Sequence, residues 1–275
     1  MDISNEARAV GAIAGGMGYG RMIELGERPA TCPAHGEYMS FGRRMGRWER
    51  WFGCPHCRAE ESAMVAMAEA QEALAARQKR FREKLDAAEL PAIFRGRSFA
   101  NYVAETDGQR RALAVAQEFA ANFSDHKQAG DWLVLSGNPG TGKSHLAAAI
   151  MQQVMEHGTA FYTTVIGLVR MFRDCWDAGA TRTEAQVWQT LMQADLLVID
   201  EVGVQYGSDA ETLQINELLD RRYRELRPVM VLTNLDMQAL RRTLGERVYD
   251  RMKQKARIVL FDWGSYRARV RNVGA

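Results

Sequence analysis

Leu133-Val-Leu-Ser-Gly-Asn-Pro-Gly-Thr-Gly-Lys-Ser-His-Leu146 is the stretch from which the rest of this chain is read. Gly137, four further residues and then Gly142-Lys143-Ser144 match the phosphate-loop pattern G-x-x-x-x-G-K-[ST]. The flanks fit. Trp132-Leu-Val-Leu135 is apolar and long enough for a buried strand, and His145 to Met155 is rich in helix formers. Glycines at 137, 140 and 142 allow a sharp turn and a close approach to phosphate oxygens. Successive N–H groups and the new helix's positive end then favour an anion. The expected binding set is Gly137, Asn138, Pro139, Gly140, Thr141, Gly142, Lys143 and Ser144, with His145 beside them. Lys143 is expected at the β- and γ-phosphates and Ser144 on Mg²⁺.

The composition is that of an ordinary soluble globular protein: 275 residues, 47% hydrophobic and 25% charged. That length holds one large domain or two unequal ones. A formal charge of +2 demands no polyanionic partner, although residues 251–271 carry seven Lys/Arg against Asp262 alone. No apolar run approaches a membrane span, and residues 1–22 lack the basic-then-apolar order of a secretory signal. The expectation is a cytoplasmic protein without disulfides, so its four cysteines need another explanation.

Residues 1–30 are Gly- and Ala-rich and read as weakly ordered or loosely helical. Two knuckles come next, Cys32-Pro-Ala-His35 and Cys54-Pro-His-Cys57, separated by a basic, aromatic loop from Tyr38 to Phe52. Paired ligand residues at this spacing suit one tetrahedral Zn²⁺ held by Cys32, His35, Cys54 and Cys57. His56 competes with His35, but choosing it breaks the Cys-x-x-Cys pairing. Four protein ligands leave no open position, so the expected role is structural. Reduced cysteines in a small loop are the plainer alternative. Residues 59–88 contain no Gly or Pro and read as a long exposed helix. Met67, Leu74 and Phe81 recur every seven residues, with Met64 and Leu85 beside them, giving a thin stripe that suits a partner helix or a solvated linker.

The remainder alternates helix and strand. Strands are expected at Leu133–Ser136, Ala160–Thr164, Asp195–Asp200, Pro228–Thr233 and Ile258–Phe261. Helices are expected at Gln109–Phe123, Leu146–Glu156, Ile166–Trp176, Glu184–Gln193 and Thr212–Glu225. Apolar strands alternating with helices predict an α/β fold with a parallel sheet covered on both faces. The expected division is 1–58 zinc-binding, 59–97 helical linker and 98–275 nucleotide-binding.

The strand Leu196-Leu-Val-Ile-Asp200-Glu201 ends in two carboxylates. Asp200 is placed to share Mg²⁺ with Ser144, and Glu201 to polarise the water that attacks a γ-phosphate. Asn234, at the end of the strand Val229–Thr233, offers an amide to that water, or simply forms a turn. Arg247 and Arg251 fall on one helix face, where either could reach a neighbouring subunit's phosphate, or pair with Glu246 or Asp250.

These segments resemble a known family. Val-Ile-Asp-Glu-Val-Gly-Val-Gln (198–205), Thr233-Asn234, Leu-Gly-Glu-Arg-Val-Tyr-Asp-Arg-Met (244–252) and Asp-Trp-Gly-Ser-Tyr-Arg-Ala-Arg-Val (262–270) are similar to the DnaC-type replicative helicase loaders. These are AAA+ ATPases close to the IstB-like transposition ATPases and the initiator DnaA. The resemblance spans about residues 90–271. It implies ATP as the nucleotide, Lys143 and Ser144 as Walker A, Asp200 and Glu201 as Walker B, and Asn234 as sensor 1. It also implies Arg251 as an arginine finger with Arg247 in the same element, Arg267 as sensor 2, and sites shared between subunits of a spiral homo-oligomer.

The resemblance further implies that Ile166–Trp176 lies where initiator-type members line a channel for single-stranded DNA. Arg170, Phe172 and Arg173 are then stacking and charge candidates, with Ser208 a weaker one; an amphipathic helix with Phe172 in the core is the alternative. The implied partners are a hexameric DnaB-type helicase, gripped by residues 1–88, and single-stranded DNA. Nucleic-acid binding by the zinc knuckle is a rival use of that region. An IstB-like transposition helper on duplex DNA, or a non-catalytic zinc-dependent interaction module, are the alternatives for the whole chain.

Overall fold

The computed structural model describes residues 22–177, 179–203 and 209–266. The chain divides into two compact units, with the division between Arg77 and Gln78.

The first unit holds an antiparallel three-stranded sheet of β1 (Met22–Cys32), β2 (Gly36–Met45) and β3 (Trp48–Trp51). This corrects the reading of residues up to 30 as loosely helical, over the part described, and of Tyr38–Phe52 as a loop. Residues 36–52 form a hairpin turning at Gly46, where φ is +64°. The first knuckle is itself a hairpin turn, closed by Cys32 opposite Gly36. Helix α1 (Pro55–Ala87) comes next. It begins inside the second knuckle, so Cys57 and Glu60 sit one turn apart. It is exposed from Arg58 to Arg80, Met64, Met67 and Leu74 included.

The second unit is a five-stranded parallel sheet: β4 (Trp132–Gly137), β5 (Ala160–Thr164), β6 (Leu196–Asp200), β7 (Val229–Thr233) and β8 (Ala256–Phe261), in the order β5-β6-β7-β4-β8. Its helices are α2 (Asp107–Ala121), α3 (Phe123–Ala129), α4 (Lys143–Val154), α5 (Val165–Arg173), α6 (Glu184–Gln193), α7 (Asp209–Arg224) and α8 (Met237–Lys255). Strand side chains alternate between two cores. Leu133, Leu135, Val198, Met230 and Leu232 pack with α2 and α4; Val134, Leu197, Ile199, Val229 and Val231 pack with α5 to α8. The expected α/β fold, with a parallel sheet covered on both faces, is what forms.

Local signals start the helices. Thr106 accepts from Gln109 N–H at the head of α2, and Gln109 accepts from Thr106 N–H in return. Thr183 and Gln186 repeat that box for α6, and Asp236 caps α8. Gly245 (φ 74, ψ 161) breaks α8 in the middle, so Arg247 and Arg251 ride its second half.

One buried cation braces the far end of the sheet. The Arg222 guanidinium, 0% exposed, donates to the carbonyls of Leu191 (2.6 Å), Ala194 (3.0 Å) and Pro228 (2.7 Å). Burial pushes its pKa down to about 9, which leaves it protonated at neutral pH. Arg222→Ala strands these carbonyls beside a cavity, and is expected to destabilise the second unit by about 3 kcal/mol or more. The urea midpoint of that unit measures this.

Candidate functional site

The phosphate loop leaves the C-terminal end of β4, the strand at which the chain's crossovers diverge. Three glycines take positive φ there: Gly137 (139°), Gly140 (75°) and Gly142 (100°). Close packing adds a second demand. A Cβ at Gly137 would lie 2.2 Å from Phe261 O, and one at Gly142 would lie 2.8 Å from the Tyr102 ring.

The loop is held from below by β8 and the turn after it. Asn138 N–H donates to Phe261 O (3.0 Å), Trp263 Nε1–H to Thr141 O (3.0 Å) and Tyr266 N–H to Gly140 O (2.9 Å). Thr141 Oγ1 donates to Asn138 O, and Lys143 Nζ to the carbonyls of Gly137 (2.7 Å) and Asn138 (2.8 Å). From the other side comes the connector before α2. His145 Nε2–H donates to Ser98 O (2.9 Å), and the Tyr102 ring meets the His145 ring edge-on at 5.2 Å. Burial lowers the His145 pKa and pushes the Tyr102 phenol up to about 12. Both therefore stay neutral beside the loop.

Asp200 ends β6 and is the hub. Its Oδ2 accepts from Ser144 Oγ (3.1 Å) and Tyr162 OH (2.8 Å), and its Oδ1 from Glu201 N–H (2.7 Å). Burial and then the Asp200 charge push the Tyr162 pKa up, so the phenol remains a donor. The oxygen donors Ser144 and Asp200 fit Mg²⁺. Glu201 is exposed with φ +59°, an uncommon state for a residue with a Cβ. Its neighbours fix it: Val202 N–H donates to Leu232 O, and Thr233 Oγ1 to Val202 O (2.6 Å). Asn234 directly succeeds Thr233, which lies in register with Ser136 of β4. The structure thus brings Lys143, Ser144, Asp200, Glu201 and Asn234 to the same end of adjacent strands.

Other expected residues fall elsewhere. Arg247 and Arg251 do not pair with Glu246 or Asp250. Both meet Asp220 of α7, which Arg224 also reaches (3.3 Å). Glu246 binds Arg241 instead. Arg251 is 22% exposed and stands over Tyr223; Arg247 is 75% exposed. Phe172 is corrected as a stacking ring: it is 1% exposed, against Trp188 in the core. The exposed aromatic of that segment is Trp176, while Arg170 and Arg173 lie at the surface. Arg267 and Ser208 lie outside the described residues. Sequence reasoning missed Tyr162 and Tyr102; each is aligned with the loop by strand pairing or packing, with no local motif to announce it.

In the first unit, the ligand atoms of Cys32, His35, Cys54 and Cys57 lie within 4.8 Å of one another. His35 Nδ1 stands 3.7 Å from Cys32 Sγ, 3.8 Å from Cys54 Sγ and 3.3 Å from Cys57 Sγ. Sulfur and imidazole donors grouped this closely fit a tetrahedral ion, zinc above all. Glu60 Oε1 takes the other side of the ring, 3.1 Å from Nε2, which fixes the tautomer. Glu60 was missed; its signal is the one-turn spacing from Cys57. His56 lies beside the His35 ring, 5.4 Å away, outside the cluster. The protons are shared unevenly. The Ala34 N–H and then His35 lower Cys32 to about 6, whereas Cys32 pushes Cys57 up to about 11. Cys32 and then Glu60 raise His35. A divalent cation displaces these protons.

No helix among the described residues is long and apolar enough to cross a membrane. A family model described as "IstB-like ATP binding protein" matches residues 58–273, leaving β1–β3 outside it. The replicative helicase loader DnaC of Escherichia coli (strain K12) is 41% identical over 175 residues, covering 63% of this chain and 70% of that protein. The DnaC of Buchnera aphidicola subsp. Schizaphis graminum is 39% identical over 176 residues, with the same coverage. The crystal structure of the DnaC helicase loader superposes with TM-score 0.57 at 22% identity, over 62% of this chain and 100% of that one. AMPPCP-bound DnaA from Aquifex aeolicus gives 0.53 at 17%, over 68% and 56%. The two superpositions establish the AAA+ fold.

Purified chain is expected to carry one zinc ion at neutral pH and Cys54→Ala none. Zinc should leave as the pH falls toward about 5, because thiolates and imidazole regain their protons. Metal analysis across a pH series measures this.

Proposed function

This chain belongs to the IstB/DnaC-like family of ATP-binding AAA+ proteins, and on that premise we propose that it is an ATPase that loads a hexameric replicative helicase onto single-stranded DNA. The observation that carries the ATPase half is the Asp200 carboxylate, fixed by Ser144 and Tyr162 beside a phosphate loop. The helicase half is supported by the likeness to proteins named replicative helicase loaders.

The nucleotide brings Mg²⁺ and the γ-phosphoryl group. Lys143 leaves its carbonyl partners for the β- and γ-phosphates, and Ser144 and Asp200 hold the metal. Glu201 accepts a hydrogen bond from the attacking water, and Asn234 orients it. Arg267 acts on the same subunit's nucleotide. A neighbour's arginine completes the site, so subunits associate in a spiral. Asp220 must release Arg251 or Arg247 for this, and the more exposed Arg247 needs the smaller rearrangement. ATP acts as a switch: binding orders the shared sites and hydrolysis loosens the hold on the helicase. The zinc ion secures β1–β3, and the exposed Met64, Met67 and Leu74 of α1 suit a helicase helix.

The IstB-like likeness of residues 58–273 is the starting point of a second reading, a helper that binds duplex DNA and recruits a transposase.

Lys143→Ala is expected to abolish ATP binding. Glu201→Gln should keep binding and lose turnover by about 100-fold or more. Tyr162→Phe should weaken Mg²⁺-dependent binding several-fold. Nucleotide fluorescence and phosphate release measure these. Immobilised chain should retain the replicative helicase with ATP and lose it in Lys143→Ala. Turnover unchanged by Glu201→Gln contradicts the catalytic assignment; capture of a transposase with no helicase supports the second reading.

A further inference from the structure

The sheet of the first unit partners its arginines unevenly on its two faces. On one face, Arg44 of β2 pairs with Glu49 of β3, and Arg28 of β1 lies over the Trp51 ring at 4.1 Å. That face is compensated. The other presents Phe41, Arg43 and Met45 from β2 with Trp48 and Arg50 from β3. Arg43 stands across from Arg50 on β3, a like-charge pairing that weakens a sheet, and across from Glu24 on β1. No carboxylate among the described residues lies within ion-pair distance of either. Arg58, from the first turn of α1, adds a third cation. The guanidinium carbons of Arg43, Arg50 and Arg58 stand 5.8, 5.8 and 5.1 Å from the centre of one ring, Phe52. Phe52 in turn stacks on Phe41, at 6.2 Å. At the hairpin end Trp48 is 82% exposed, next to Met45 and Arg47.

Three cations surround one aromatic pair and only Arg43 faces a carboxylate in the register, Glu24, so repulsion persists at Arg50 and Arg58 beside the exposed apolar area of a bare indole. A polyanion with flat unpaired rings relieves both: guanidiniums take the phosphates, and the rings take the bases. We propose that this face is a binding site for single-stranded nucleic acid. The strand lies along β2 and β3 toward the start of α1, with a base stacked on Trp48. It avoids β1, where Glu24 and Glu27 stand opposite Arg43 and Phe41. A duplex is disfavoured, because its bases are already stacked on one another and leave none to stack on Trp48. The site deepens the loader reading by giving it a DNA contact in the first unit, where all of its residues but Arg58 precede the segment that the family model matches.

The test uses the full-length chain carrying Lys143→Ala, without nucleotide, so that the ATP site is silent. The probe is a fluorescein-labelled oligodeoxythymidylate of about 20 nucleotides, read by anisotropy. Zinc content equal to the parent's certifies that each variant keeps its sheet. Trp48→Ala is expected to weaken binding about ten-fold and Trp48→Phe to restore most of it. The double variant Arg43→Ala/Arg50→Ala should weaken it at least ten-fold and make the slope of log K against log salt shallower by about 1.4. Arg44→Ala, on the compensated face, should bind as the parent does. Parent-like binding by Trp48→Ala and by the double variant overturns the proposal, as does equal loss in Arg44→Ala or equal affinity for duplex of the same length. Capture of polyglutamate in place of the oligonucleotide also overturns it and assigns the face to an acidic protein. Helicase retention and ATP turnover, measured on the same face variants with Lys143 intact, separate failure of this site from failure of the loader reading.

Discussion

A buried carboxylate must find donors or a cation, and in this protein Asp200 is where that requirement is met. Its three donors come from three places: the start of α4, the middle of β5 and the backbone just beyond β6. One charge therefore locks the phosphate loop to two strands. The same tie shapes the backbone beyond β6. Glu201 is driven into a left-handed conformation because its N–H turns back to Asp200 while Val202 is tied to β7. The residue proposed to accept a hydrogen bond from the attacking water is thus placed by the same anchor that is proposed to hold the metal.

A second carboxylate, Asp220, gathers Arg224, Arg247 and Arg251 within the subunit. On the proposed reading this arrangement is a reserve. An exposed side chain gains little from an ion pair, so a γ-phosphate in a neighbouring subunit competes for Arg247, 75% exposed, on favourable terms. The break at Gly245 gives the segment that carries Arg247 and Arg251 a separate orientation from the first half of α8.

What was legible in the sequence was local. The phosphate loop and the apolar strand ending at Asp200 each need only a few consecutive residues. The paired knuckles were legible for the same reason, since ligand spacing is a local constraint. Contacts across the fold were not. Tyr162 sits in a strand expected from its residues, yet only pairing with β6 sets its hydroxyl on Asp200. Tyr102 acts by packing on Gly142, which no motif records. The first sheet was hidden because its strands are rich in Gly, Arg and Glu and barely buried, so the alternation that marks a strand was faint. Phe172 misled for the opposite reason. An amphipathic helix marks a buried face and does not say whether a ring on it reaches solvent, and here α6 covers it.

The two units divide the labour on this account: an ATP-switched sheet in one, and a metal-held sheet with an exposed helix in the other. The central claim, that ATP on this chain controls delivery of a helicase, is tested most directly on closed circular single-stranded DNA. The readout is the amount of replicative helicase left on the circle after a high-salt wash. Retention that requires both this chain and ATP, and that fails with Lys143→Ala, is the predicted result. Equal retention without the chain, or with the Lys143→Ala variant, contradicts the account.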